Sequence, residues 1–390
     1  MKILYISYVD VSLTKGPSAN EREFIPSLYS LKGEDAHFVI PEPEDKLPID
    51  IFKGAVTLMP SSKGRKPHLW IKQQFKLISI VNKLLKDGNI DLIIMRPDVF
   101  AFALRTIVKK NNIPYALKTA GSGKFDVFRR KGWLFRSLYS INQKIFMDLV
   151  RNSIVTDVVS PSQRDSLVAL TGVADKVYFV DNGVNTDRFY IKDKIEVKDK
   201  LGLSKYDKIV GYAGNFPWER GGMQIVEALP KLVKKFPKIG GVILGSGDKM
   251  HLLFDRAKEL GVEDHVVFPG SVDYTKVVDY INSFDVAVSQ RYEDTQSASE
   301  LKVRQYLACG KPTIVSPSTT NNFIQDNSFG FVVDSNDFTT FGERVADILS
   351  YREDYTKESS ERIRKYAEEH LSYDSKIIER LELYKKALNL

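Results

Sequence analysis

The chain has 390 residues, more than one hydrophobic core usually serves, so two domains are expected. Its composition, 43% hydrophobic and 27% charged, is that of a soluble globular protein, and the single cysteine, Cys309, excludes an intramolecular disulfide and a CxxC metal site. The net charge of +7 points to an anionic partner, with nucleotide, anionic lipid and nucleic acid all open at this level.

The chain begins "MKILYISYVDVS". The apolar run is short and alternating and no small-residue cleavage site follows, so it reads as a buried strand rather than a leader. Nowhere do 18 apolar residues run together, so no membrane-spanning helix is expected. The five histidines are scattered without paired spacing, and no metal site is expected. Short apolar runs follow at 36–41, 55–60, 92–97, 114–119, 157–162 and 176–185, with helical patterns between them at 69–86 and 98–110. That is a βαβ series with a parallel sheet. The stretch 190–208 is charged and has no deep apolar run, which makes it the best linker candidate.

The pattern then restarts. Strand-like runs lie at 208–214, 241–246, 266–271, 285–290, 312–317 and 330–335, and 336–390 is helical and charged. Two doubly wound domains follow, with ligands expected at the carboxyl ends of the strands, in a cleft where two such sheets face each other. The segment "GNFPWERGG" (214–222) lies between a strand and a helix whose Ile225, Ala228, Leu229 and Leu232 share one face. A glycine-rich turn there aims backbone N–H groups at an anion, and Arg220 would serve a phosphate. An ordinary βα connection needs glycine too, so this segment alone leaves both readings open. Further signals fall at strand ends: "GSG" (245–247), "PGSV" (269–272), the long polar loop "SQRYEDTQSASELK" (289–302) and "LACGKPTIV" (307–315).

In this order, the motifs resemble the retaining two-domain glycosyltransferases of the GT-B fold, and most of all their family 4. "SPSQRDSLVALTGVADKVYFVDNGVNTDRF" (160–189), "VVFPGSVDYTKVVDYINSFDVAVSQ" (266–290) and "LKVRQYLACGKPTIV" (301–315) each resemble a family passage. The resemblance implies an α/β fold of two Rossmann-like domains facing across a cleft. The expected layout is an acceptor domain over 1–189, a linker over 190–207 and a nucleotide-sugar domain over 208–370. A C-terminal helix over 371–390 has a return to the first domain open to it.

The resemblance also implies roles. Gly214, Asn215, Arg220 and Gly221 match the family's diphosphate-binding turn, with Arg220 in the place of its lysine. Asn215 stands where the family usually has arginine, and Lys302, Lys311 or helix amides are the candidates to offset that lost charge. The family's two glutamates fall at Ser297 and Gln305. Gln305 can still bond a ribose hydroxyl through its amide. Glu293, Asp294 or Glu300 can stand in for the first glutamate, or Glu293 and Glu300 are solvated loop charges. Gly16 and Gly245 are the remaining donor-site glycines, with Ser18 or Asn20 capping the helix after Gly16. On the acceptor side the family's histidine is missing from 118–126, leaving Thr119, Gly121, Ser122 or Asp126.

Two stretches mix aromatics with cations, 61–86 and 123–151; the second holds Arg129, Arg130, Lys131 and Trp133. That mixture suits an anionic membrane surface, and 123–136 is the favoured docking segment over 61–76. The expected activity is metal- and cofactor-independent sugar transfer to a glycan or lipid-linked acceptor. The expected location is the cytoplasm, peripheral on the inner face of the cell membrane, with no nucleic-acid partner. A catalytically silent GT-B subunit that scaffolds another transferase is the alternative.

Overall fold

The computed structural model describes residues 1–13, 16–44, 55–61, 67–97, 101–119, 133–214, 221–247, 249–291, 300–318, 320–350 and 357–390. It forms two units, Met1–Gly183 with Tyr373–Leu390, and Val184–Ser372.

The first unit holds a parallel sheet of β1 (Ile3–Ser7), β2 (Ala36–Pro41), β3 (Val56–Met59), β4 (Leu92–Arg96), β5 (Tyr115–Thr119), β6 (Val155–Val158) and β7 (Val177–Phe179), in the order β3-β2-β1-β4-β5-β6-β7. All five residues of β1 are buried because helices cover both faces. Leu4 and Ile6 pack with Leu77, Leu104 and Leu149 from helices 67–87, 102–111 and 133–152. Ile3 and Tyr5 point the other way, to Phe24 and Leu28 of helix 16–32 and to Ile377 and Tyr384 of helix 373–387. Asp157 on β6 anchors that last helix, accepting from Arg380 Nε at 3.1 Å and Tyr384 Oη at 2.6 Å. The apolar run at 157–162 is cut short because Ser160 leaves the sheet. Its Oγ accepts from the Gln163 N–H, with Pro161 in the first turn of helix 161–171.

The second unit holds β8 (Lys208–Ala213), β9 (Ile239–Leu244), β10 (Val266–Gly270), β11 (Val286–Ser289), β12 (Thr313–Val315) and β13 (Gly330–Val332), parallel and in the order β10-β9-β8-β11-β12-β13. Helices 222–235, 250–259 and 338–350 cover one face, and helices 277–283, 301–308 and 357–366 the other. The stretch 190–207 is not a free linker but part of this unit. It contains helix 194–200 and buries Val197, Leu203 and Tyr206. Its lysines look solvated in the sequence, yet Lys192 and Lys200 both reach Asp279, each at 2.7 Å.

Candidate functional site

In the second unit, β8 runs into Gly214, and helix 222–235 begins after Gly221. Asn215 and Arg220, between them, lie outside the described residues. Gly221 has φ +59°, and a Cβ there would come within 2.2 Å of the Tyr212 ring, so only glycine fits. Gly221 gives the helix no side-chain cap and its first turn holds no acid, so among the described residues no side chain of that turn offsets the partial positive charge of the leading N–H groups.

Lys302 joins this corner from helix 301–308, which follows β11, the neighbour of β8. Its Nζ donates to Tyr212 Oη at 2.9 Å and lies 4.3 Å from that ring's centroid. A Cβ on Gly214 would meet the same Nζ at 3.1 Å, so the ammonium stands directly over the end of β8. Among the described residues Lys302 has no carboxylate partner. A half-buried cation beside a helix N-terminus is an arrangement that chemically favours an anion, and two positive elements can serve two linked phosphates. Tyr212, which positions the ammonium, reads in the sequence only as a strand residue.

Glu300 occupies the cap position of helix 301–308. It is buried, accepts from Ser289 Oγ and has Arg291 Nε at 3.5 Å, so it is no solvated loop charge. Glu293, Asp294 and Ser297 lie outside the described residues. One turn beyond Lys302, Gln305 is half-buried and donates from Nε2 to Tyr274 Oη at 3.3 Å. Gly245 follows β9 at φ +141°, its N–H donating to the Gly270 carbonyl at 3.0 Å.

Lys311 is in the wrong place to offset Asn215. It precedes β12 and so lies at the amino end of the sheet, opposite Gly214. Its buried Nζ donates to the Asn282 carbonyl at 2.9 Å, and burial brings its pKa down to about 8. Arg304, not foreseen from the sequence, is fully buried and donates to the Glu300 and Thr320 carbonyls at 3.3 and 3.1 Å. It ties the chain after β12 to the helix that carries Lys302 and Gln305. Among the described residues no three His, Cys, Asp or Glu side chains gather as a metal site.

In the first unit, Gly16 opens helix 16–32, so Ser18 and Asn20 lie inside the helix and do not cap it. Asn20 instead accepts from Lys118 Nζ at 3.0 Å and donates to Asn182 Oδ1 at 2.8 Å. Beside it, Glu21 is fully buried between Arg96, Lys118 at 2.8 Å and Tyr5 Oη at 2.6 Å. Burial alone would raise the Glu21 pKa, but the two cations outweigh it and hold the carboxyl at about 2. Burial wins for Lys118, whose pKa falls to about 8. The ends differ because Glu21 faces two cations, whereas Lys118 has one carboxylate and feels Arg96 and Arg380 against it. Thr119 closes β5, buried, its Oγ1 donating to the Asp157 carbonyl at 3.1 Å. Gly121, Ser122, Asp126, Arg129, Arg130 and Lys131 lie outside the described residues. Trp133 opens helix 133–152, and its side chain is not among those described.

Residues 193–370 match the family described as glycosyl transferases group 1. The chain is 25% identical over 226 residues to a GDP-mannose-dependent alpha-(1-6)-phosphatidylinositol monomannoside mannosyltransferase of Mycolicibacterium smegmatis, covering 56% of this chain and 58% of that one. It is 26% identical over 136 residues to an alpha-monoglucosyldiacylglycerol synthase of Streptococcus pneumoniae, covering 35% of this chain and 30% of that one. The chain thus spans less than two thirds of the length of the curated relatives it matches. Among solved structures it superposes on Anabaena HepE in complex with UDP with a TM-score of 0.74 at 14% identity, covering 98% of this chain and 100% of that one. The fold is GT-B, and over residues 193–370 the resemblance drawn from the motifs agrees with the matching family.

Proposed function

We propose that the chain is a retaining glycosyltransferase. It moves a sugar from a nucleoside diphosphate sugar to a glycan or lipid-linked acceptor, in the synthesis of cell-surface polysaccharide or glycoconjugate. The observation that carries this reading is the meeting of Lys302, Gly214 and the uncapped N-terminus of helix 222–235 at the carboxyl end of β8. The matched relatives support it: HepE was solved with UDP, the mycobacterial protein is named for a lipid acceptor and the streptococcal one for a glycolipid product.

In the proposed reaction the bond from the sugar's anomeric carbon to the diphosphate breaks. The acceptor oxygen joins that carbon on the same face, and the acceptor's proton passes to the departing phosphate oxygen. Charge builds on the diphosphate, where Lys302 and the helix amides oppose it. That positive charge does the work a divalent ion would otherwise do, so no metal or further cofactor enters the reaction. The setting is the inner face of the cell membrane, with the protein peripheral; no described helix is long and apolar enough to cross a bilayer.

Gln305, where the family has a ribose-binding glutamate, is the observation behind the silent-subunit reading. One experiment separates the two. The purified chain, given a panel of UDP and GDP sugars, releases nucleoside diphosphate from at least one. Gln305→Glu keeps or strengthens affinity for that nucleotide, because a carboxylate accepts from ribose hydroxyls more strongly than an amide, and Gln305→Ala weakens it. No release from any donor, with both variants binding like the parent, supports the silent subunit.

A further inference from the structure

We propose that the first unit docks on an anionic bilayer through the N-terminal turns of helices 67–87, 102–111 and 133–152. These three helices share one inversion: a large apolar side chain faces solvent, and its neighbour facing inward is polar or small. On helix 67–87, Ile71 is 58% exposed and Phe75 64%, one turn apart, while Gln73 and Gln74 are buried. At the start of helix 102–111, Phe102 is 48% exposed between the buried Ala101 and Ala103. On helix 133–152, Ile141 is 55% exposed beside the buried Asn142.

Two hydrogen bonds bring these residues to one place. Gln74 Oε1 accepts from the Ala103 N–H at 2.9 Å, and Asn142 Oδ1 accepts from the Ala101 N–H at 2.9 Å. Phe102 therefore sits between the bonds that tie its helix to the other two, and Phe75 and Ile141 each adjoin one of the tying amides. Burial in a water-soluble surface selects the reverse, apolar side in and amide out. Four large apolar side chains gathered on one face mark a surface that something apolar covers.

The charge around the patch says what covers it. Lys72 and Lys76 stand beside Ile71 and Phe75, exposed, and Lys144 follows Ile141 by one turn, also exposed. Helix 67–87 carries four lysines and one acid, helix 102–111 three cations and no acid, and helix 133–152 three cations and one acid. That last acid, Asp148, already receives Arg105 at 2.7 Å and Lys109 at 3.4 Å. A second copy docked face to face would set lysines against lysines, and among the described residues of these helices acids are few, with Asp148 already paired. Apolar side chains at the acyl boundary with lysines among anionic headgroups satisfy both features. This surface deepens the proposal of a membrane-borne acceptor and supplements segment 123–136.

The test is flotation of the full chain with vesicles of phosphatidylcholine alone or mixed with phosphatidylglycerol. Neither donor nor acceptor is present, so failure here leaves the transferase reading standing. The parent binds the mixed vesicles and not the neutral ones. Lys72→Ser with Lys76→Ser weakens binding about 25-fold at low salt, roughly fivefold per lysine, and less as salt rises. Ile71→Ser with Phe75→Ser removes the binding that survives high salt. All four side chains are exposed, so each variant melts like the parent. A parent that ignores both vesicles, or variants that bind as well as the parent, would overturn the proposal. So would a parent that sediments as a dimer, ignores vesicles and becomes a monomer on Ile71→Ser with Phe75→Ser.

Discussion

Replacing Lys302 with alanine lowers the rate of sugar transfer by about 10²–10³-fold, the usual cost of removing one donor from a developing oxyanion. The ammonium stands over the end of β8, 2.9 Å from Tyr212 Oη, and has no carboxylate partner among the described residues. No described carboxylate neutralises its positive charge, which the proposed diphosphate would do. The loss appears mainly in turnover, because the charge it opposes is greatest as the diphosphate departs. The fold survives, since Lys302 is half-exposed and Tyr212 remains packed against Gly221. Lys302→Arg keeps the charge and recovers part of the rate. Initial rates of nucleoside diphosphate release at saturating donor measure this, and a Lys302→Ala enzyme within threefold or so of the parent contradicts the assignment.

The second large effect is on stability. Glu21→Ala leaves Arg96 and Lys118 buried without their shared carboxylate, at a cost of about 3–5 kcal/mol. In a unit of this size that lowers its melting temperature by roughly 10 °C. The same carboxylate gives an acid signature. Its folded pKa, about 2, lies below the unfolded value of 4.5, so the stability it contributes is complete above pH 4.5 and is lost as pH falls through 2. The lost part is about 3 kcal/mol for a shift of that size. Thermal melts from pH 7 down to pH 2 show this slope in the parent and a flatter one in Glu21→Gln. Equal melting of parent and Glu21→Ala at neutral pH contradicts the account of the network.

Both sheets were legible because strands covered on two faces read as continuous apolar runs, as in "KILYIS" and "KIVGYAG". Which end of a sheet a residue occupies was less legible. Lys302 and Lys311 are nine residues apart and look equivalent as text. Only the helix between them, which runs from the carboxyl end of β11 back to the amino end of β12, puts Lys302 over the end of β8 and Lys311 against the Asn282 carbonyl. Buried charge was not legible at all. Glu21 lies in "SANERE", which reads as a solvated helix face, and its partners come from β4 and β5, far along the chain. The linker was misread because its few apolar residues are widely spaced, yet Val197, Leu203 and Tyr206 are all buried in the second unit, and Lys192 and Lys200 pair with Asp279.

The central claim is that the corner formed by Gly214, Gly221 and Lys302 holds a nucleoside diphosphate. Calorimetric titration of the purified chain with UDP, GDP and the matching monophosphates tests it most directly. The account predicts that one diphosphate binds at least tenfold more tightly than its monophosphate, and that Lys302→Ala abolishes most of that difference. Equal affinity for mono- and diphosphate, or a preference unchanged in Lys302→Ala, would contradict it.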